Sequence, residues 1–228
     1  MSKYKSVVLL IGSPKGERST SASLGNYILS KLEASGMNIE KLFIHRLVNR
    51  KEKTQSLFEM INKAGLIILS FPLYVDSLPA PVIKAMELIK EEHDKLENKK
   101  SKDFIAICNS GFPEASQSTV ALNICKIFSN ACGFNWKGGI AIGGGGAISG
   151  RPLEGIGGMV RFIIAGLDIT AQALIEGKEI PKEAIELFSK PFIPRSLYIY
   201  GGNLGWRLQA RRIGAGKKIK YKQYLLEG

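Results

Sequence analysis

The stretch Val7-Val8-Leu9-Leu10-Ile11-Gly12-Ser13-Pro14-Lys15-Gly16-Glu17-Arg18-Ser19-Thr20-Ser21 decides the fold class. Its first five residues are a continuous β-branched and leucine run, the pattern of a strand buried on both faces of a parallel sheet. The run stops at Gly12, and helical periodicity begins within the serine cluster. A strand feeding straight into a helix leaves the first helical N–H groups unpaired and sets the positive end of the helix dipole at the turn. Hydroxyls at Ser13, Ser19, Thr20 and Ser21, with the cations of Lys15 and Arg18, complete an anion cradle.

What is missing narrows the anion. Gly12 and Gly16 are one residue too close for a P-loop, no Lys-Ser/Thr pair follows Gly16, and no G-x-G-x-x-G follows the strand. A hydroxyl-rich loop suits a terminal phosphate monoester, which needs many donors, better than a pyrophosphate, which needs close backbone approach. Riboflavin 5′-phosphate, FMN, is the natural candidate. The plainer reading of the same residues is a serine-rich connection whose helix is capped by Ser19 or Ser21.

Working outward, strand and helix patterns alternate. A helix over Thr20 to Ser35 carries Leu24, Ile28 and Leu32 on one stripe, and a strand follows around Ile39 to His45. A polar helix over Lys53 to Lys63 precedes the central strand Leu66 to Phe71. Pro79 and Pro81 open a helix ending in the charged segment Lys90 to Lys102. Phe104 to Cys108 is the next strand, Ser118 to Ala131 the next helix, and Trp136 to Ile142 the last strand. Five β-α repeats predict a parallel sheet with right-handed crossovers and helices on both faces. Ligands of such sheets bind beyond the carboxyl ends of the strands, where strand order reverses. The chemistry is therefore expected in the loops 12–21, 72–79 and 109–117.

Length, 228 residues, suits one α/β domain with additions. We expect a domain over 1–150 and a helical, basic extension of it over 151–228. The chain starts on a strand, not a signal core, and Cys108, Cys125 and Cys132 lack C-x-x-C spacing. The expectation is a cytoplasmic protein with reduced, buried thiols. The apolar stretch Ile156 to Ile175 contains Arg161 and Asp168, which argues against a bilayer span. Met159, Phe162, Ile163, Leu167 and Leu174 describe one face, and Val160, Ile164, Ala165 and Ala171 populate the others. That predicts a helix buried nearly all round, within the subunit or at an oligomer interface. Of the net charge of +12, +7 lies from Pro194 onward: Arg195, Arg207, Arg211, Arg212, Lys217, Lys218, Lys220 and Lys222 against Glu227. With Trp206, Tyr221 and Tyr224 interspersed, this arm fits nucleic acid, an anionic membrane surface or the phosphates of NADPH; the plainer reading is a solvated helix or a dimer-embracing tail. Arg207, Arg211 and Arg212 at helical spacing predict an ordered helix.

G-S-P-K followed by S-T-S, the tract S-F-P-L-Y-V-D-S-L-P-A-P-V-I-K-A, and N-S-G-F-P-E together resemble the NAD(P)H-dependent FMN reductases and related flavodoxin-like oxidoreductases, over roughly residues 5–145. The resemblance implies a flavodoxin-like, doubly wound five-stranded parallel sheet of order 2-1-3-4-5 with FMN across the strand ends. It implies that Ser13, Lys15, Ser19, Thr20 and Ser21 hold the phosphate, that Pro72, Leu73, Tyr74, Val75 and Asp76 border the isoalloxazine, and that Asn109, Ser110, Gly111, Phe112 and Glu114 close its polar edge. Some relatives carry a cysteine cluster for an iron–sulfur centre, which this chain lacks.

The flavin would supply the redox chemistry, which accounts for a poor catalytic inventory; no catalytic side chain and no metal site are expected. NADPH or NADH would be the donor, and a quinone, a nitro- or azo-aromatic compound, or free flavin the acceptor, by ping-pong kinetics. Backbone N–H groups of Val75 and Asp76 suit the N5 edge, and those of Ser110 and Gly111 suit negative charge at N1 and O2. Alternatives stand beside these roles. Tyr74 is a stacking ring or a loop aromatic; Asp76 and Glu114 are ligand contacts or helix caps; Lys15 is a phosphate contact or a solvated lysine. Gly143 to Gly146 reads as a nucleotide contact or, better, a flexible junction. Cys108 reads as a thiol under the flavin or, better, an inert core residue. His45 at a strand end and His93 on a charged helix surface read as structural or solvent-facing. A homodimer is expected, and the alternative functions are a flavodoxin-like electron carrier or a nucleic-acid- or membrane-associated module using the basic C-terminal arm.

Overall fold

A computed structural model describes residues 3–48, 51–97, 99–191 and 193–216. Five strands, β1 (Ser6–Ile11), β2 (Asn38–Phe43), β3 (Leu66–Pro72), β4 (Asp103–Asn109) and β5 (Asn135–Ile142), form one sheet of order β2-β1-β3-β4-β5. Every neighbouring pair is parallel. The crossovers carry α1 (Thr20–Ala34), α2 (Lys51–Lys63), α3 (Ala80–Asp94) and α4 (Thr119–Ala131); α5 (Arg161–Ile175) and α6 (Lys182–Ser189) follow β5. This is the flavodoxin-like topology expected from the sequence.

Alternation along the strands sorts their side chains onto two faces. Val7, Leu9 and Ile11 of β1, with Leu66, Ile68, Ile105, Ile107, Ile140 and Ile142, pack under α1, α5 and α6. Val8 and Leu10, with Ile67, Leu69, Phe71, Phe104, Ala106 and Cys108, pack under α2, α3 and α4. Both faces are covered, so β1, β3 and β4 are largely apolar, with Ser70 inside β3 and Asp103 and Asn109 at the ends of β4; β2, at the edge, exposes Asn38, Glu40 and Lys41.

Residues Leu153–Ile175 are long and apolar enough to cross a membrane, but they pack against α1 and the sheet. Ile163, Leu167, Ala171 and Leu174 face the core, whereas Phe162, Ile164 and Ile169 are half-buried and Met159 is exposed. The expectation of burial nearly all round is corrected to burial on one side. Gly166 is required there, because a Cβ would press on the Phe188 ring, 2.6 Å away. Tyr27 Oη donates to Asp168 Oδ1 at 2.9 Å and Lys31 Nζ lies 2.9 Å from the same atom, tying α1 to α5.

His93 departs from its expected surface position. It is 4% exposed, stacks edge-on to Phe134 at 5.0 Å between centroids, and neither ring nitrogen has a hydrogen-bond partner among the described residues. Burial, reinforced by Lys99 and Lys102, lowers its pKa. The unfolded chain, with a histidine near pKa 6.5, therefore binds more protons than the native one. Stability is full above about pH 6.5 and falls as the pH drops below it. His93→Leu should remove this acid sensitivity and raise stability by about 1 kcal/mol, as read from urea midpoints at mildly acidic and alkaline pH. A variant as acid-sensitive as the parent would refute it.

The chain divides into two compact units, Met1–Phe192 and Ile193–Gly228. The second contains α7 (Arg195–Arg212), the ordered helix expected from the arginine spacing. The expectations placed on Lys217, Lys218, Lys220, Tyr221, Lys222, Tyr224 and Glu227 lie outside the described residues.

Candidate active site at the carboxyl ends of the strands

β1 lies between β2 and β3, so its two flanking crossovers run to opposite faces and leave a crevice at their carboxyl ends. The loop after β1 turns through Gly16, whose positive φ of 57° suits glycine, with Gly16 N–H on the Ser13 carbonyl at 3.1 Å. Ser19 caps α1: its Oγ accepts from Ala22 N–H at 3.1 Å and donates to the Gly16 carbonyl at 2.6 Å. The capping reading of Ser19 is the one the structure shows. With Ala22 capped and Ser23 N–H on the Ser19 carbonyl, Thr20 and Ser21 supply the first-turn N–H groups that have no helical acceptor. No acid occupies that turn.

Ser13, Lys15, Arg18, Ser19, Thr20 and Ser21 line a cleft together with Pro72, Leu73 and Tyr74 after β3 and Asn109, Ser110 and Gly111 after β4. The expected residues Val75, Asp76, Phe112 and Glu114 do not line it. Val75 and Asp76 form the tip of a two-residue turn closed by Tyr74 N–H to Ser77 O at 2.9 Å and Ser77 N–H to Tyr74 O at 3.0 Å. Both have positive φ, 49° and 60°, and Val75 is 98% exposed. A β-branched residue in the left-handed region is a backbone outlier, and such strain collects at functional loops.

Asn109 binds the loops to one another. Its buried amide Nδ2 donates to Ser21 Oγ at 2.8 Å and to the Phe71 carbonyl at 3.0 Å, and its own carbonyl accepts from Leu73 N–H at 2.8 Å. Ser110 N–H is engaged by the Ile142 carbonyl at 2.9 Å, so it does not serve the anion-stabilising role expected for it. Between Gly111 and α4 stands a short 3-10 turn, Ala115–Ser118, in place of an immediate α-helix N-terminus. Cys108 is fully buried and its thiol is pushed up to about 12, which makes it an inert core residue.

The loop after β5 was underestimated in the sequence. Gly145, Gly146 and Ser149 line the cleft, Gly145 N–H donates to the Ser110 carbonyl at 2.8 Å, and Thr20 Oγ1 donates to the Gly145 carbonyl at 2.8 Å. A Cβ at Gly143 would overlap the Pro113 carbonyl, so this glycine is there for close approach. The run Gly143 to Gly146 was the available signal.

A larger hollow, about 790 Å³ against about 180 Å³, opens at the opposite end of the strands. Its polar groups answer one another: Lys102 Nζ donates to the carbonyls of Asn62 and Ala64, and Asp103 is held by Tyr4 Oη, Lys3 Nζ and Asn135 Nδ2. The smaller cleft alone has a helix N-terminus flanked by cations.

Residues 6–120, just over half the chain, match the NADPH-dependent FMN reductase family. The chain belongs to that family. It is accordingly an NAD(P)H-dependent oxidoreductase with FMN as cofactor. No curated protein matches it in sequence. Among solved structures it is similar to an NADH:FMN oxidoreductase in its apo form, at 14% identity and TM-score 0.58, covering 84% of this chain and 97% of that one. It is also similar to a putative quinone reductase from Klebsiella pneumoniae, at 14% identity and TM-score 0.56, over 78% and 87% of the two chains. An FMN-dependent NADH-azoreductase from Bacillus anthracis in complex with FMN shares 12% identity at TM-score 0.54, over 75% and 99%. At these identities the structural likeness concerns the fold.

The cleft fits the family's cofactor on its own chemistry. The amides of Thr20 and Ser21 and the cations of Lys15 and Arg18 would suit a phosphate monoester, and the wall Pro72-Leu73-Tyr74 a planar ring.

Proposed function

We propose that the protein reduces a quinone, a nitro- or azo-aromatic compound or free flavin at the expense of NADPH or NADH, with FMN bound in the cleft at the carboxyl ends of the strands. The observation that carries this reading is the first turn of α1, whose Thr20 and Ser21 N–H groups have no helical acceptor, meeting Lys15, Arg18 and the Pro72-Leu73-Tyr74 wall in one cleft. Bound FMN supplies the two-electron chemistry. Lys15, Arg18 and the amides of Thr20 and Ser21 hold the phosphate, with Ser13 beside them. Ser19 and Ser21 act through the backbone they fix: one caps the helix, the other receives Asn109. Tyr74 would border the ring, with the Val75-Asp76 tip beyond the cleft wall and its amides suited to the N5 edge. Gly111, Phe112 and Glu114 flank the far side. Donor and acceptor take turns on the one open face, which gives ping-pong kinetics.

Three buried cysteines without disulfides suit a reducing cytoplasm. The uncharged row Val120, Ile124 and Ile127 on α4, at i, i+4 and i+7, with Val120 and Ile127 exposed and Ile124 half-buried, supports pairing with a second copy; light scattering at micromolar concentration should give a dimeric mass. The deciding experiment is anaerobic addition of NADPH or NADH to the FMN-loaded protein. Bleached flavin bands, and parallel double-reciprocal plots with menadione as acceptor, are expected. Tight FMN binding without bleaching would make it an electron carrier instead, and intersecting plots would exclude the shared face.

A further inference from the structure

We propose that the C-terminal unit docks the enzyme on an anionic lipid bilayer. Residues 187–226 hold nine basic residues, Lys190, Arg195, Arg207, Arg211, Arg212, Lys217, Lys218, Lys220 and Lys222, and no Asp or Glu. A merely solvated arm has no reason to exclude acids over so long a stretch. Within it α7 exposes large apolar side chains: Trp206 is 78% exposed, Ile213 75%, Tyr200 69% and Leu197 60%, with Ile199, Leu204 and Leu208 close to half.

Helical spacing organises these residues. Ser196, Tyr200, Asn203, Arg207 and Arg211, at i, i+4, i+7, i+11 and i+15, share one stripe that is basic toward its C-terminal end. Leu197, Leu204 and Leu208 flank it on one side, and Ile199, Trp206 and Ile213 on the other. The opposite face mixes Gly201 and Gly205 with Tyr198, Gln209 and Arg212. Exposed aliphatic and aromatic side chains interleaved with arginines that gather at the C-terminal end suit contact at the boundary between headgroups and acyl chains. Arginine stems can run along the apolar body there and carry their guanidinium groups to the lipid phosphates.

Two other occupants fit less well. Nucleic acid would answer the charge but offers no apolar surface to five aliphatic side chains. A second copy would answer the aliphatic residues but would bring Arg207, Arg211, Arg212 and the following lysines against their own kind. An anionic bilayer answers both.

The test is co-sedimentation of the full chain with vesicles of phosphatidylcholine, with and without phosphatidylglycerol. Binding is expected only with the anionic lipid, and it should weaken as salt is raised from about 0.1 M to about 1 M, where the screening length falls from roughly 10 Å to 3 Å. Arg207→Glu with Arg211→Glu should cut the bound fraction roughly tenfold or more. Leu204→Ser with Leu208→Ser removes apolar surface at constant charge and should cut it by several-fold. Both variants should keep the parent's FMN reduction rate with NADPH in solution, which shows that the first unit is folded and separates this inference from the function proposed above. Failure to sediment with anionic vesicles overturns the proposal, as does full binding by the arginine variant. Binding of duplex DNA in place of vesicles, unaffected by the leucine changes, would transfer the surface to nucleic acid.

Discussion

Thr20→Asp should lower FMN affinity by at least about 100-fold while leaving the stability of the apoprotein within about 1 kcal/mol of the parent. The two effects separate because the same position faces two different demands. A carboxylate in the first turn of α1 interacts favourably with the helix dipole, by about 0.3–1 kcal/mol. Against this stands loss of the Thr20 Oγ1 bond to the Gly145 carbonyl, a typical neutral hydrogen bond of about 1 kcal/mol. For the apoprotein the two nearly cancel. For the complex, the new carboxylate stands where the phosphate must sit, and like charges forced together cost several kcal/mol. Thr20→Val is the control: it deletes the hydroxyl without adding charge, so affinity should fall by no more than about tenfold. Flavin fluorescence titration and thermal melts of the apoproteins measure both quantities. Parent-like FMN binding by Thr20→Asp would remove the phosphate from the α1 N-terminus.

The alternation of apolar runs with amphipathic segments was legible because β1, β3 and β4 are covered on both faces and are therefore largely apolar. Strand order came with the motifs of three loops, not from periodicity. Element ends were less legible: β2 stops at Phe43, and His45 belongs to a following 3-10 turn, since isolated β-branched and aromatic residues do not distinguish a strand end from a tight turn. His93 was misplaced because its chain neighbours Glu91, Glu92, Asp94 and Lys95 are charged. Its helical neighbours told otherwise, since Val82, Met86, Ile89 and His93 follow i, i+4, i+7 and i+11 on the buried stripe of α3.

Within the cleft, the residues that touch neighbours in sequence were readable and those that act across the fold were not. Ser19 as a cap follows from local spacing. The contribution of Gly145 depends on Ser110 and Thr20, distant in sequence, and no local pattern signals it. The hydroxyl cluster that suggested phosphate binding is also largely internal bracing, with Ser19 on Gly16, Ser21 on Asn109 and Thr20 on Gly145. In the function proposed here, the phosphate would be held more by the N–H groups and cations that this bracing aligns than by the hydroxyls themselves.

Asn109→Leu follows from the same division and should produce the largest combined loss. The amide is buried, and its two donated bonds join the end of β4 to the start of α1 and to the end of β3. Leucine fills comparable space but leaves Ser21 Oγ without its donor and the Phe71 carbonyl with one fewer, in a place water does not reach. Each buried group so deprived costs about 1–3 kcal/mol, for a total of roughly 2–4 kcal/mol of stability. FMN affinity should fall more than tenfold in addition, because the phosphate-binding turn and the Pro72-Leu73-Tyr74 wall lose their shared reference point. Ser21→Ala isolates one arm of the network: combined with Asn109→Leu it should cost less than the two changes summed, since the hydroxyl left unpaired by the first is removed by the second. Urea unfolding of the four proteins in the cycle, with FMN titration of each, tests this. Strict additivity, or an Asn109→Leu protein that binds FMN like the parent, would show that the loops are positioned independently and that the cleft does not depend on the amide that joins them.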